Sequence, residues 1–208
     1  MEATKINGNQ AGLTLDTITR NILHSGTNVY YAPKSDGTKV TSRSALDDTC
    51  KLTVDTIKRV VAILKKCNAP RIDGQNYVAI IHPYATYDLT SDPAWLEAHK
   101  YAAPDEIFDG EIGKIAGVRF VETSEAKIYD GGVFGTIVLG ANAYGVTEVT
   151  GGGLRTIIKQ LGSAGTADPL DQRSSVGWKA TKTAEILVEA YMVRIEHKST
   201  FSDDADAN

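Results

Sequence analysis

The residues in this chain best suited to proton transfer or metal binding are four histidines, His24, His82, His99 and His197. They are scattered singly. No His-Glu-x-x-His pair and no close His/Asp/Cys cluster accompanies them, so the spacing gives a zinc or hydrolytic metal site little support. His82 stands apart, because it precedes Pro83 at the end of the apolar run "YVAIIHP", and strand ends often carry ligands. An enzyme acting on a small molecule would have to rest on His82, Asp88 and His99. The same His82 fits a local role more simply, capping the strand and hydrogen-bonding to its neighbours.

The other chemical motifs are incomplete. Gly151, Gly152 and Gly153 before Leu154-Arg155 could present helix N–H groups to a phosphate, but the Lys-Ser/Thr of a phosphate-binding loop is absent, and a flexible turn accounts for them as well. "GSAGT" has no strand before it and makes no nucleophile elbow. Glu106, Asp109 and Glu111 read as a solvated face. Trp95 and Trp178 could stack a ligand or anchor packing. Cys50 and Cys67 form neither a disulfide framework nor a metal knuckle and read as reduced thiols. No constellation of nucleophile, base and orienter is legible. The expectation is a protein that is not an enzyme, with no cofactor and no metal.

Composition agrees with an ordinary globular chain. Of 208 residues, 42% are hydrophobic and 23% charged, enough for one ample core or two modest ones. A net charge of -4 argues against a dedicated nucleic-acid binder. No apolar run reaches the ~20 residues of a membrane span, and no signal-peptide core follows Met1, so a soluble protein of a reducing compartment is expected.

The elements that would position these residues follow from periodicity. "MEATKINGNQAG" shows no period and reads as frayed, whereas "LTLDTITRNILHSG" places Leu15, Ile18, Ile22 and Leu23 at helical spacing before a Ser25-Gly26 stop. "TNVYYA" is a short β segment, and Asp36-Gly37 a hairpin-type turn in the loop that follows. "LTVDTIKRVVAILKKCNAP" is the clearest helix: Thr53 caps it, Asp55 and Lys65-Lys66 match its dipole, and Ile57, Val60, Val61 and Leu64 form its stripe. "YVAIIHP" reads as a strand buried on both faces, and "YATYDLTSDPAWLEAHKYA" as two helical turns broken at Asp92-Pro93. "DGEIGKIAGVRFVETSEA" and "VFGTIVLGANAYGVTEV" are turn-punctuated strands, "GGGLRTIIKQLG" a short amphipathic segment, and "VGWKATKTAEILVEAYMVRIEHK" one long strand or a bent pair. "FSDDADAN" reads as an acidic, disordered tail. Irregular mixing of helices and strands gives an α+β class.

In order, "LTVDTIKRVVAILKKCNAP", "YVAIIHPYATYDLTSDPAWLEAHKYA", "GEIGKIAGVRFVETSEAKIY", "GTIVLGANAYGVTEV", "IIKQLGSAGTADPLDQRSSVGWKA" and "AEILVEAYMVRIE" resemble tailed-bacteriophage major capsid proteins, nearest the short-tailed coliphage-type major capsid family. The run "GSAGTADPLDQRSSVGWKA" is the most specific part. The resemblance implies the Hong Kong 97-type fold, with an axial domain inserted in a peripheral domain that carries a spine helix and a long-stranded sheet. Carried over, residues 1–51 would hold the end of the spine helix and the first part of the peripheral domain, 52–153 the axial domain, and 154–208 the return to the peripheral domain and the acidic tail. Family members carry an N-terminal arm and an extended hairpin ahead of the spine helix, and neither is found here. The implied partners are copies of the chain itself in pentamers and hexamers, other phage head proteins and, non-specifically, packaged DNA, with no membrane. The implied location is the virion capsid, assembled in the bacterial host cytoplasm. An encapsulin-like compartment shell shares the fold.

Within that resemblance, the small-residue segment after "RTIIKQL" is expected between the two domains at a subunit edge. Gly162 and Gly165 would let backbones approach, Asp168, Asp171 and Arg173 would pair across a seam, and Trp178 would join the interface. An Ω-loop packed on its own domain fits the same residues.

Overall fold

A computed structural model describes residues 2–99, 113–147, 151–163, 170 and 172–208. Helix α1 (Glu2–Leu23) leads into strand β1 (Val29–Tyr31), helix α2 (Val54–Lys66), strand β2 (Tyr77–Ile81) and two short helices, α3 (Pro83–Thr90) and α4 (Pro93–His99). Strands β3 (Lys114–Ile115), β4 (Val118–Glu122), β5 (Ile128–Tyr129), β6 (Val133–Leu139) and β7 (Tyr144–Val146) follow. The chain continues through β8 (Arg155–Lys159), β9 (Ser175–Lys179) and β10 (Ala184–Ile186), then closes with β11 (Met192–His197). It divides into two compact units, Met1–Thr19 with Val146–Glu185, and Arg20–Gly145 with Ile186–Asn208.

The larger unit is built on a mixed sheet ordered β1-β11-β6-β2-β4-β3, with β5 added beside β6. β1 runs parallel to β11 and β2 parallel to β4, while the other pairs are antiparallel. α2 packs on one face. Its Val54, Ile57, Val60, Val61 and Leu64 meet Ala79, Ile81, Val118, Phe120, Val138, Val193 and Ile195 in the main core. Each such side chain contributes roughly 1.5–3 kcal/mol of apolar burial. Thr53 caps the helix by accepting from the Thr56 N–H, and Asp92 takes the Val54 N–H at 2.9 Å. The helix ends on Asn68 at φ 53, with Ala69 N–H returning to Leu64 O at 3.0 Å. That glycine-type stop precedes Pro70 and needs no help from it.

On the other face Leu23 packs with Ile137, Leu139, Ala143 and Met192. β6 and β11 are therefore buried along their whole length, and one polar residue on each is matched by the other: Thr136 Oγ1 bonds His197 Nε2 at 2.9 Å. β2 differs from expectation. Tyr77, Ala79 and Ile81 are buried, but Val78 and Ile80 are only half-covered, so one of its faces lies closer to solvent.

β11 lies between β1 and β6 in this sheet, and residues 20–51 fall in the same compact unit. The smaller unit holds the first part of α1 and the β8–β9 hairpin.

Four local expectations are corrected. Residues 2–12 are helical rather than frayed; among residues 4–12 all but Asn7 and Ala11 are exposed, which leaves no apolar period to read, and extending an existing helix adds one hydrogen bond per residue. "GGGLRTIIKQLG" is a strand, so no helix N-terminus follows the triple glycine. The closing segment is three strands: a 3₁₀ turn, Glu189–Tyr191, interrupts it where the Leu187 and Val188 N–H groups both donate to Ala143 O. The acidic tail is ordered, because Ser202 is buried and donates to Gly132 O at 2.7 Å, while Asn208 pairs with Ile128 by main chain and side chain.

That close approach generates a prediction. Gly132 has φ +65, and a Cβ there would lie 2.1 Å from Ser202 O, whereas a Cβ on Gly8 in α1 would meet nothing within 4 Å. Gly132→Ala is expected to lower unfolding free energy by about 3 kcal/mol or more, and Gly8→Ala to raise it by about 0.5–1 kcal/mol. Urea titration followed by circular dichroism measures both.

Candidate functional site

The proposed enzyme set does not form a relay. His82 is the N-cap of α3, its Nδ1 accepting the Tyr84 N–H at 3.2 Å, and its ring lies between Tyr84 and Phe134. Burial pushes its pKa down, which keeps it neutral and suited to that acceptor role. Asp88 faces elsewhere. Its carboxylate accepts the Thr200 N–H at 2.9 Å and the Thr200 hydroxyl, with Lys51 Nζ at 3.7 Å, and so holds the C-terminal turn. Phe201, stacked on Tyr84 with centroids 4.7 Å apart, fastens the same turn. His99 ends α4, and its side chain lies outside the described residues. Among the described residues no histidine shares a hydrogen bond with a carboxylate, and no group of three His/Cys/Asp/Glu side chains is placed to hold a metal.

The sheet face opposite α2 carries a charged cluster that motif reading missed. Glu196 has no exposed surface. Arg43 grips it with two bonds, Nε to Oε2 at 2.7 Å and Nη2 to Oε1 at 2.6 Å, and Arg194 Nε donates to Oε1 at 3.0 Å. Arg194 Nη1 also donates to the carbonyls of His24 and Gly26, just past the end of α1. The Arg43 guanidinium stacks 3.7 Å from the Tyr129 ring centroid, and Tyr129 OH bonds His24 Nδ1 at 2.9 Å. Burial, then the neighbouring Arg194, Arg20, Lys127 and Arg43 charges, lower the His24 pKa to about 3. Burial raises that of Tyr129. Nothing here is an open nucleophile or a base poised near neutrality; the cluster ties a loop, a helix end and a short strand to β11. Arg194 and Glu196 sit at alternate positions of "MVRIEH", and a period-2 reading of that strand would have flagged two charges on one buried face.

The segment nominated as an interface joins the paired strands β8 and β9 of the smaller unit, and residues 160–163, 170 and 172–174 of it are described. Gly162, at φ +80, lies on its ascending side, Arg173 is exposed on its descending side, and Trp178 is half-buried on β9 opposite Thr156. Gly165, Asp168 and Asp171 lie outside the described residues. Leu161 and Leu170 flank the tip at 62% and 71% exposure, and Ile158 is also exposed. A large apolar side chain so exposed costs little singly, but several together mark a surface that meets another molecule. The strand register puts Thr156, Ile158, Val176 and Trp178 on one face, and Arg155, Ile157, Lys159, Ser175, Gly177 and Lys179 on the other.

Comparison with known proteins places this architecture. A family model described as phage capsid protein matches residues 3–192. No curated protein matches the chain. Among solved structures, one from Mycobacterium phage Che8 superposes with a TM-score of 0.63 at 13% identity, covering 93% of this chain and 61% of that one. The capsid of Cyanophage P-SCSP1u gives 0.65 at 14% identity, covering 96% and 66%. An encapsulin complex from Synechococcus elongatus gives 0.61 at 10% identity, covering 94% and 64%. The chain thus spans about two thirds of the length of these structures or somewhat less, and at such identities the likeness is one of fold.

Two predictions follow from the buried charges. Glu196→Gln keeps the shape but leaves two guanidinium groups facing each other without a counter-charge, so unfolding free energy is expected to fall by about 3–5 kcal/mol in denaturant titration. A loss below about 1 kcal/mol would show that the cluster is not the clamp described. The second concerns pH. His24 and His197, lowered by burial to about 3 and about 4 from 6.5, bind protons in the unfolded chain before the folded one. Their contribution is complete above pH 6.5 and is lost as pH falls toward 4, at up to about 1.4 kcal/mol per pH unit for each ring. Stability measured across that window should fall on acidification, and His197→Gln should remove part of the slope.

Proposed function

Because the chain belongs to the phage capsid protein family and has the Hong Kong 97-type α+β fold, we propose that it is a major capsid protein, a structural subunit rather than an enzyme. The observation that carries this reading is the family match, which runs through nearly all of both compact units. Within the family, the sequence segments favour the short-tailed coliphage-type group. The smaller unit, with the first part of α1 and the hairpin, is read as the peripheral domain, and the larger unit as the axial domain. On this reading the spine helix is α1, and β11 returns to the axial sheet.

The chain would associate with copies of itself in pentamers and hexamers, meet other phage head proteins and touch packaged DNA non-specifically. It would reside in the virion capsid after assembly in the host cytoplasm. The hairpin tip, with Gly162, Gly165, Asp168, Asp171 and Arg173, and Trp178 on the adjoining strand, would face a neighbouring subunit. Exposed Leu161 and Leu170 support that placement, since a polar solvent-facing tip would not need them.

Electron microscopy of particles purified from cells expressing the chain tests the proposal. Capsomers or closed shells are expected, and shells containing nucleic acid rather than a protein cargo distinguish a capsid from an encapsulin-like compartment. A protein that stays monomeric at the highest attainable concentration would overturn it. Leu161→Asp with Leu170→Asp should leave the unfolding midpoint unchanged and abolish assembly. These are cleaner probes than Gly162, whose φ of +80 makes any replacement strained within its own chain.

A further inference from the structure

One face of the β8–β9 hairpin carries cations that no described residue of the chain pairs. Arg155 lies directly across the ladder from Lys179, and like charges directly opposite each other on one sheet face are destabilising. Lys159 extends the same face, and neither strand contains an acidic residue. Arg155, Lys159 and Lys179 are exposed and form no ion pair with a described residue. Between them lies a shallow floor. Ile157 is 39% exposed, and a Cβ added to Gly177 opposite it would meet nothing within 4 Å. Cations framing an open, backbone-deep floor suit a short turn bearing several carboxylates.

The larger unit carries such a turn. The 3₁₀ segment Ser202–Asp204 and the residues after it expose Asp203, Asp204 and Asp206, none of which pairs with a described residue. The turn is held in place by Ser202, bonded to Gly132 O and to the Ser199 N–H, and by Asn208, bonded to Ile128 and Ala126. A segment fixed by its own chain loses little entropy on docking.

We propose that the basic face of the hairpin, Arg155, Lys159 and Lys179 around Ile157 and Gly177, receives the acidic C-terminal turn, Asp203, Asp204 and Asp206, of a second copy of this chain. The inference rests on the reading of the chain as a self-associating shell subunit and names the charged contact through which copies meet. The contact is heterologous, one surface of each copy meeting a different surface of the next, which is the kind of interface that builds rings and shells. Three cations on a chain with net charge -4 make a poor track for a phosphate backbone, but match three carboxylates one for one.

The test mixes natural-abundance and nitrogen-15-labelled copies and couples them with a zero-length carbodiimide reagent. Mixed-isotope crosslinks from Lys159 or Lys179 to Asp203, Asp204 or Asp206 are expected, weakening as salt is raised. Lys159→Glu with Lys179→Glu should abolish them, as should Asp203→Lys with Asp204→Lys, while an equimolar mixture of the two variants should restore association through reversed charges. Gly177→Val should fill the floor and block docking without lowering the unfolding midpoint. If copies associate in light scattering but the crosslinks are absent or join residues of one isotope only, the inference is wrong and the shell reading stands. If no association occurs at all, both fail. If the lysine reversals leave association intact but abolish retention of duplex DNA, the face serves phosphates and the inference is overturned.

Discussion

Glu196 is a carboxylate with no exposed surface, and burying such a charge costs several kcal/mol that only well-placed counter-charges can offset. Arg43 and Arg194 supply them, both donating to Oε1 and Arg43 to Oε2 as well. Each arginine is in turn committed elsewhere, Arg194 to the carbonyls beyond α1 and Arg43 to the Tyr129 ring. One ion therefore fixes four stretches of chain that are far apart in sequence: the end of the first helix, the loop before α2, the strand β5 and the closing strand. None of these can move without exposing a charge to a medium that cannot solvate it.

The same constraint bears on the last strand, which lies between β1 and β6 with both faces covered. β11 presents Val193 and Ile195 to the α2 side and Met192, Arg194 and Glu196 to the other, so both faces need cover. Its neighbours β1 and β6 come from much earlier in the chain. Most of the sheet's central contacts thus close long loops, and the entropy of closing them is repaid only when β11 arrives. Among the described residues no buried side-chain nitrogen or oxygen lacks a partner, which a core of this polarity requires.

Helical elements with a buried stripe were legible from sequence. α2 was read with its cap, its dipole-matched ends and its apolar face, because Thr53, Asp55, Ile57, Val60, Val61, Leu64 and Lys65-Lys66 act through local rules. α3 and α4, broken at Asp92-Pro93, were legible for the same reason. What was not legible depends on partners. Residues 2–12 carry no period because most of them face solvent, and the break at Glu189–Tyr191 arises from bonds to Ala143, which no local window contains. The tail was misread because its acidity hides Ser202 and Asn208, whose bonds reach residues 70 to 82 positions away. His82 was legible as either a ligand or a cap, and its geometry is that of a cap.

The contrast between interior and surface bears on what kind of protein this is. Catalytic sites keep perturbed groups accessible in a cleft, where the displaced proton affinity can act on a substrate. Here the strongly lowered histidines, His197 buried and His24 half-buried, are bonded to Thr136 and Tyr129, so their displacement stabilises a shape. The hairpin is the opposite case. Its like charges face each other across the ladder, and its leucines stand in water. Among the described residues the buried side-chain polar atoms are all matched, while the hairpin's facing cations and its leucines stand exposed. That is the distribution expected when the function is association.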